Sequence, residues 1–386
     1  MAGSFLLTGP TLSSAAPPHG RTNEKATKTR SEITQLDVAA VVFVSLVIPF
    51  LELAQTGNYW GRLEDWLDNG SYVEIANIIR VGGTPGTHHF WGLPNLIAAI
   101  QAAFDVSGFA AIVVISIGCS VAASFLIDRL YGNSVAIAFL LLCPTWVRVS
   151  VMGGSEPLFL CLLLGCWLAV RSSGVLVAIV LASLATTVRP VGFFALSGIG
   201  FALILQRDWK RLAMSFCIAV GIGLAYLAEC QVISRDPFIN FKLYSSDDWL
   251  DGNPLSLPFV RFGKGVFDYV LNKRWTIWIE NVFSLILVGV CTYFLSTKFA
   301  TLLRHYPAEF FFVSAYLIFF LCYNNEAASH LFARYSIPVT PFLLFAARDW
   351  LPTKRFVLWP LAILSALTAS SGIVGFKSVF GFSLHG

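Results

Sequence analysis

The sequence predicts an all-α fold, a polytopic bundle of transmembrane helices, and three observations carry that prediction. Apolar residues fill 56% of the 386 positions and charged residues only 12%, with a mean hydropathy of +0.72. That is more apolar surface than a water-soluble core can hide. The apolar residues are gathered in long runs divided by short polar turns, and the basic residues fall in those turns with a consistent sidedness.

Residues 1–36 include Pro17, Pro18, Arg21, Lys25, Lys28 and Arg30 and hold too few apolar positions to pack, so they read as a disordered tail. Residues 37–386 read as one membrane-embedded domain. Its first segment, Val38 to Ala54, ends in Glu52 and a polar loop instead of a small-residue cleavage site. It is expected to be an uncleaved anchor that leaves the positive tail in the cytoplasm.

A loop follows in which Asp68, Asn69, Gly70 and Ser71 form a turn signal ahead of Tyr72, Ile75, Ala76 and Ile79. Those four recur at helical spacing while Glu74, Asn77 and Arg80 point elsewhere, which predicts an amphipathic helix in the interface plane. Next comes a Pro/Gly-rich stretch containing His88 and His89, then an apolar run over 96–104. That run is well short of the roughly 20 residues a crossing helix needs.

Further apolar segments cover 107–127, 134–147, 157–170, 175–188, 191–205, 212–233, 276–296, 308–323, 335–347 and 356–376. Arg129, Arg171, the cluster at 207–211, Lys298 with Arg304, and Arg348 with Lys354 and Arg355 can share the cytoplasmic side only if the 96–104 run does not cross. Parity then gives about eleven spans, the N-terminus inside and the C-terminus outside.

The net charge of +4 is spread among the loops, which argues against nucleic acid as a partner. The eight cysteines lie in or at the ends of apolar segments without paired loop spacing. They read as small core hydrophobes, neither disulfides nor metal ligands.

Four polar features fall on the outer side at the ends of spans: Asp68; Ser155-Glu156-Pro157; Thr187-Val188-Arg189-Pro190; and Arg334-Tyr335-Ser336-Ile337-Pro338. Each has an ordinary reading. Asp68 suits a helix cap, Pro157 suits a first helical turn, and Arg189 and Arg334 suit snorkelling to headgroups. The sharper reading of Asp68 is a general base at a membrane surface. The 234–275 loop adds Trp249, Phe259, Phe262 and Trp275, which suit a lipid-facing surface.

Taken together, these stretches resemble the C-type glycosyltransferase superfamily of integral membrane enzymes that use lipid-linked sugars. Within it they are most like the mannosyltransferases of glycosylphosphatidylinositol assembly, the PIG-V type, and their bacterial relatives. The resemblance runs over about residues 38–350. It is carried by Asp68 to Tyr72 with Ile75 and Ala76, Phe90-Trp91-Gly92-Leu93-Pro94, Ser155 to Phe159, Leu184 to Gly192, and Arg334-Tyr335 with Pro338 and Pro341.

The resemblance implies an inverting transfer of a hexose, with mannose the first expectation, from a polyprenyl-phosphate sugar to a hydroxyl of a glycolipid or glycan acceptor. Asp68 matches the first-loop carboxylate that acts as base, and Asp65, one turn upstream, is a second candidate. Glu156 would orient the acceptor, or hold a divalent cation if one is used; two isolated carboxylates do not specify a metal site. Arg189 and Arg334 would face the phosphate. Tyr72 and Tyr335 belong to the same substrate-binding set. His88 and His89 either contact acceptor or phosphate or form a solvated loop pair.

Two other classes fit part of the pattern. A transporter or flippase of a polyprenyl-linked glycolipid would want polar groups at mid-membrane, discontinuous helices and matching repeats, and no such repeat is visible in the sequence. A polymerase or ligase of surface polysaccharide would share the helix-end arginines without needing Asp68. The short loops point to a bacterial inner membrane, with an extracytoplasmic active face.

Overall fold

The computed structural model describes residues 33–55, 59–64, 66, 68–85, 89–245, 250–255, 257–260, 263, 275–325, 331–351 and 354–374. Of the tail expected over 1–36, residues 1–32 lie outside the described residues, while Ile33 is buried and the first helix already begins at Gln35; the C-terminus, the candidates Asp65 and His88, and Trp249 and Phe262 also lie outside them.

The chain is a helical bundle. Its first half comprises α1 (Gln35–Gln55), α2 (Tyr59–Glu64), α3 (Asn69–Val81), α4 (Gly92–Phe104), α5 (Gly108–Tyr131), α6 (Asn133–Leu142), α7 (Pro144–Met152), α8 (Glu156–Arg171) and α9 (Val175–Val188). A 3-10 turn at Pro190–Gly192 leads into α10 (Phe193–Leu205), followed by α11 (Trp209–Ser234) and α12 (Ile239–Ser245). After strand β1 (Leu250–Leu255) come α13 (Trp275–Thr297), α14 (Phe299–His305), α15 (Pro307–Cys322), strand β2 (Tyr323–Asn325), α16 (Phe332–Ser336), α17 (Thr340–Ala346) and α18 (Arg355–Val374). The strands form a two-stranded antiparallel ribbon that pairs Leu250 with Asn325 and Leu255 with Tyr323.

Hydropathy breaks and helix breaks coincide at most boundaries. The α5 start is capped by the Ser107 hydroxyl, which accepts from the Ala110 N–H at 3.2 Å, and α11 starts under the Asp208 carboxylate, which accepts from the Arg211 N–H at 3.1 Å. The packing joins α5 to α8, α8 to α9, α10 to α15 and α1 to α18. Its centre holds Phe139, Trp146, Phe159, Phe312 and Tyr316, all essentially buried.

Two expected spans are divided, and proline is the reason in both. The 134–147 run becomes α6 and α7, bent by 80° at Cys143 and Pro144, because proline lacks an N–H and drives its predecessor out of the helical region. The 335–347 run becomes α16 and α17 around Pro338 and Pro341. By length and composition α1, α5, α11 and residues 279–297 can each cross a membrane alone, and the bent α6–α7 pair adds a fifth. The other apolar helices are shorter, and the chain is an integral membrane protein of several spans.

The short helices matter for position. With a rise of 1.5 Å per residue, α8, at 16 residues, is about 24 Å long, and α9, at 14 residues, about 21 Å. Both fall short of the roughly 30 Å hydrocarbon layer. Where α8 ends, the Arg171 guanidinium donates to Glu309 Oε1 at 3.0 Å and to the Leu130 carbonyl at 2.6 Å. It lies over the rings of Tyr131 and Tyr306, which anchors that end among α5, α14 and α15.

Glu74, Asn77 and Arg80 on α3 are exposed as the periodicity requires. Tyr72, Ile75 and Ala76 are buried against the protein, Ile75 beside Phe90 and Trp91.

Candidate active site

The ends of α8 and α9 opposite Arg171 bring together residues that the chain keeps far apart. At the end of α7, Gly153 (φ 88°) and Gly154 (φ 147°) adopt backbone that other residues rarely accept, and they turn the chain sharply into Ser155 and Glu156. A Cβ at Gly153 would come within 2.5 Å of Ile112 Cγ2, and one at Gly154 within 2.7 Å of Glu156 Oε2. The glycine pair is thus required by space as well as by conformation.

Arg189 ends α9 in an extended conformation (φ −143°, ψ 128°) because Pro190 follows it. Leaving the helix there directs its guanidinium to Glu156. Asn69, buried under the first loop, donates to the Met152 carbonyl at 2.8 Å and to the Leu63 carbonyl at 3.1 Å. These bonds fix the Asp68 turn against the α7 end.

Charges alternate along the resulting chain of contacts. Arg189 pairs with Glu156 Oε1; Arg334 Nε pairs with the same oxygen. The other edge of Arg334 donates to Asp68 Oδ2 at 3.0 Å. His89 Nε2 lies 3.8 Å from Asp68 Oδ1, and its ring packs on Tyr72 with centroids 4.9 Å apart.

The Tyr72 hydroxyl donates to Ser155 Oγ at 3.1 Å, and Arg189 donates to the same oxygen at 3.4 Å. Tyr335 presents its ring to the Arg189 guanidinium, 5.3 Å from centroid to carbon. Asp68, Tyr72, His89, Glu156, Arg189, Arg334 and Tyr335 therefore form one cluster.

Burial grades across the cluster. Glu156 is 1% exposed and Arg334 5%, whereas the Asp68 side chain keeps 32% of its surface open. Asp68 is therefore the acid that an entering molecule can reach.

Although Asp68 stands at the N-cap of α3, its side chain makes no capping hydrogen bond; it is turned to Arg334 instead. Burial raises its pKa. The charges of Arg334 and His89, the Arg334 hydrogen bond and the charge of Arg189 outweigh burial and hold the carboxyl below the usual carboxylate range.

A divalent cation does not suit the surroundings of Glu156. Its Oε1 is shared by two guanidiniums, and Oε2 is buried without a hydrogen-bond partner among the described residues. Two fixed positive charges beside a carboxylate repel a further cation and attract an anion. Nor do three His, Cys, Asp or Glu side chains converge among the described residues.

The structure adds groups that the motifs do not mark. Arg148 on α7 pairs with Glu280 on α13, and Thr145 Oγ1 lies 3.3 Å from both. Next to Glu280, Asn281 Oδ1 accepts from the Ala333 N–H at 3.0 Å. Tyr316 on α15 donates to the Tyr335 carbonyl at 2.7 Å. The Glu280-Asn281 pair is a polar interruption at the start of an apolar run and is legible as such. Nothing in the sequence distinguishes Tyr316 from other core tyrosines.

No protein-family model matches the chain, and no curated protein matches it. Among solved structures, the crystal structure of ArnT from Cupriavidus metallidurans bound to undecaprenyl phosphate is similar at 15% identity and a TM-score of 0.48. The match covers 90% of this chain and 77% of that one.

Proposed function

We propose that the protein is a membrane glycosyltransferase of the C type, a hexosyltransferase that moves a hexose, with mannose expected, from a polyprenyl-phosphate sugar to an acceptor hydroxyl. Transfer takes place with inversion at the extracytoplasmic face. One observation carries the reading. Two carboxylates and two arginines from four separate segments meet in one cluster whose most open member is Asp68.

In this reading the acceptor oxygen attacks the anomeric carbon on the face opposite the phosphate, and its proton passes to Asp68. The bond from that carbon to the phosphate oxygen breaks, and the departing polyprenyl phosphate keeps the electron pair. Arg334 and Arg189 offset the charge that develops there. A phosphate drawn to Arg334 competes with Asp68 for the guanidinium, which frees the carboxylate to act as base. Glu156 keeps both arginines in place and so orients the acceptor indirectly, through the groups it holds.

The test supplies a radiolabelled polyprenyl-phosphate hexose and the matching nucleotide sugar separately to purified protein in liposomes, with Asp68→Asn in parallel. Transfer from the lipid donor by the parent and its loss in the variant are expected. Transfer from the nucleotide sugar alone would sink the proposal.

The divided spans, α6–α7 and α16–α17, favour a flippase of the same class of lipid, since discontinuous helices line transporter sites. Movement of the lipid across the bilayer with no new glycosidic bond would decide for it.

A further inference from the structure

Arg334 is the hub of the cluster, yet it rides on α16, a helix of five residues. A helix that short cannot satisfy its own end groups and does not persist by itself. Its placement has to come from neighbours, and the two residues flanking Arg334 are each held by a buried side chain from a different helix.

On one side the Ala333 N–H donates to Asn281 Oδ1 at 3.0 Å. On the other the Tyr335 carbonyl accepts from the Tyr316 hydroxyl at 2.7 Å. Asn281 is 3% exposed and Tyr316 1%. Asn281 is itself fixed, because its neighbour Glu280 is paired to Arg148 and ties α13 to α7.

We infer that Asn281 and Tyr316 are positioning residues that set where the Arg334 guanidinium meets a phosphate. The inference rests on the lipid-phosphate reading of the site. The two brackets approach from α13 and α15 and grip the backbone of α16, leaving the guanidinium its bonds to Asp68 and Glu156. A forked guanidinium needs a defined backbone origin to present two parallel donors, whereas an ammonium on a flexible stem does not. Loss of one bracket should therefore be felt through Arg334 and little through a lysine at the same place.

The experiment uses the full chain in nanodiscs and titrates undecaprenyl phosphate without sugar. Tyr316→Phe removes only a hydroxyl, and Asn281→Leu removes the acceptor at similar volume. Each is combined with Arg334→Lys, and thermal unfolding is followed alongside.

Each single variant is expected to weaken binding about three- to tenfold, the usual worth of one hydrogen bond. In the Arg334→Lys background the loss should shrink to within about twofold. Weakening of the same size in both backgrounds, or lowered thermal stability with unchanged affinity, would overturn the inference and leave the two residues as ordinary packing. Should Asn281→Leu fail to fold, the Tyr316→Phe comparison decides by itself. A parent that binds no undecaprenyl phosphate would instead bring down the lipid-phosphate reading and this inference with it.

Discussion

The Asp68 side chain stands at a helix start and ignores the helix, and that choice organises its chemistry. Because its carboxyl is held below the usual range, it stays ionised and able to accept a proton through the neutral and mildly acidic range. The acid limb of kcat/KM should therefore lie below about pH 4, the ordinary aspartate value; a limb near pH 6 would assign the base elsewhere. The stability consequence has the same sign. A depressed folded pKa contributes stability above the unfolded value and loses it as pH falls through the folded one. The difference in unfolding between parent and Asp68→Asn should be flat above about pH 5 and close only below about pH 4. At neutral pH, Asp68→Asn should lower turnover about 10²- to 10⁴-fold, and near-normal turnover would move attention to Asp65 or Glu74. Arg189→Lys and Arg334→Lys should each reduce donor use, since lysine keeps the charge but not the fork. Full activity in both would show the phosphate assignment to be wrong. Asp68, Glu156, Arg189 and Arg334 were legible in the sequence because each is a charge at the end of an apolar run. Tyr316 was not, since a buried tyrosine shows its hydroxyl partner only once the chain is folded.

At the scale of elements, the glycine pair before α8 and the proline after Arg189 aim the charges, and each can be tested without touching a charged group. Gly153→Ala forces a side chain into a left-handed backbone and against Ile112. It should cost about 1–3 kcal/mol, measured by thermal unfolding in detergent, and should reduce turnover with it; an unchanged melting temperature would mean that the turn is looser than described. Most helix limits were legible because breaks in hydropathy coincide with Gly, Pro or cap residues, as at Ser107 and Asp208. The break at Cys143 was not, because the run from Val135 to Val147 stays apolar through Pro144. Hydropathy reports burial but not direction. Nor does an amphipathic stripe, alike against lipid and against protein, say that α3 turns its apolar face to Phe90 and Trp91.

Across the whole molecule, the positive turns predict sidedness, and single-cysteine labelling of sealed cells checks it. Asp105→Cys should react with an impermeant reagent from outside and Trp209→Cys should not; both positions are exposed. Labelling of position 209 from outside would invert the arrangement. Two helices of the cluster, α8 and α9, are several ångströms shorter than a hydrocarbon layer of about 30 Å, and this bears on the lipid as much as on the protein. On the lipid-phosphate reading, helices this short predict that the bilayer thins around the protein where a donor phosphate meets Arg334. Hydrophobic mismatch then becomes a kinetic variable, at a cost of fractions of a kcal/mol for each ångström. Turnover should be fastest in short-chain phosphatidylcholine and fall steadily as the acyl chains lengthen, while the folded fraction stays constant. A rate indifferent to chain length would place the phosphate at the surface. The thickness of the membrane would in that sense belong to the active site, setting how far each donor must sink before its sugar can leave.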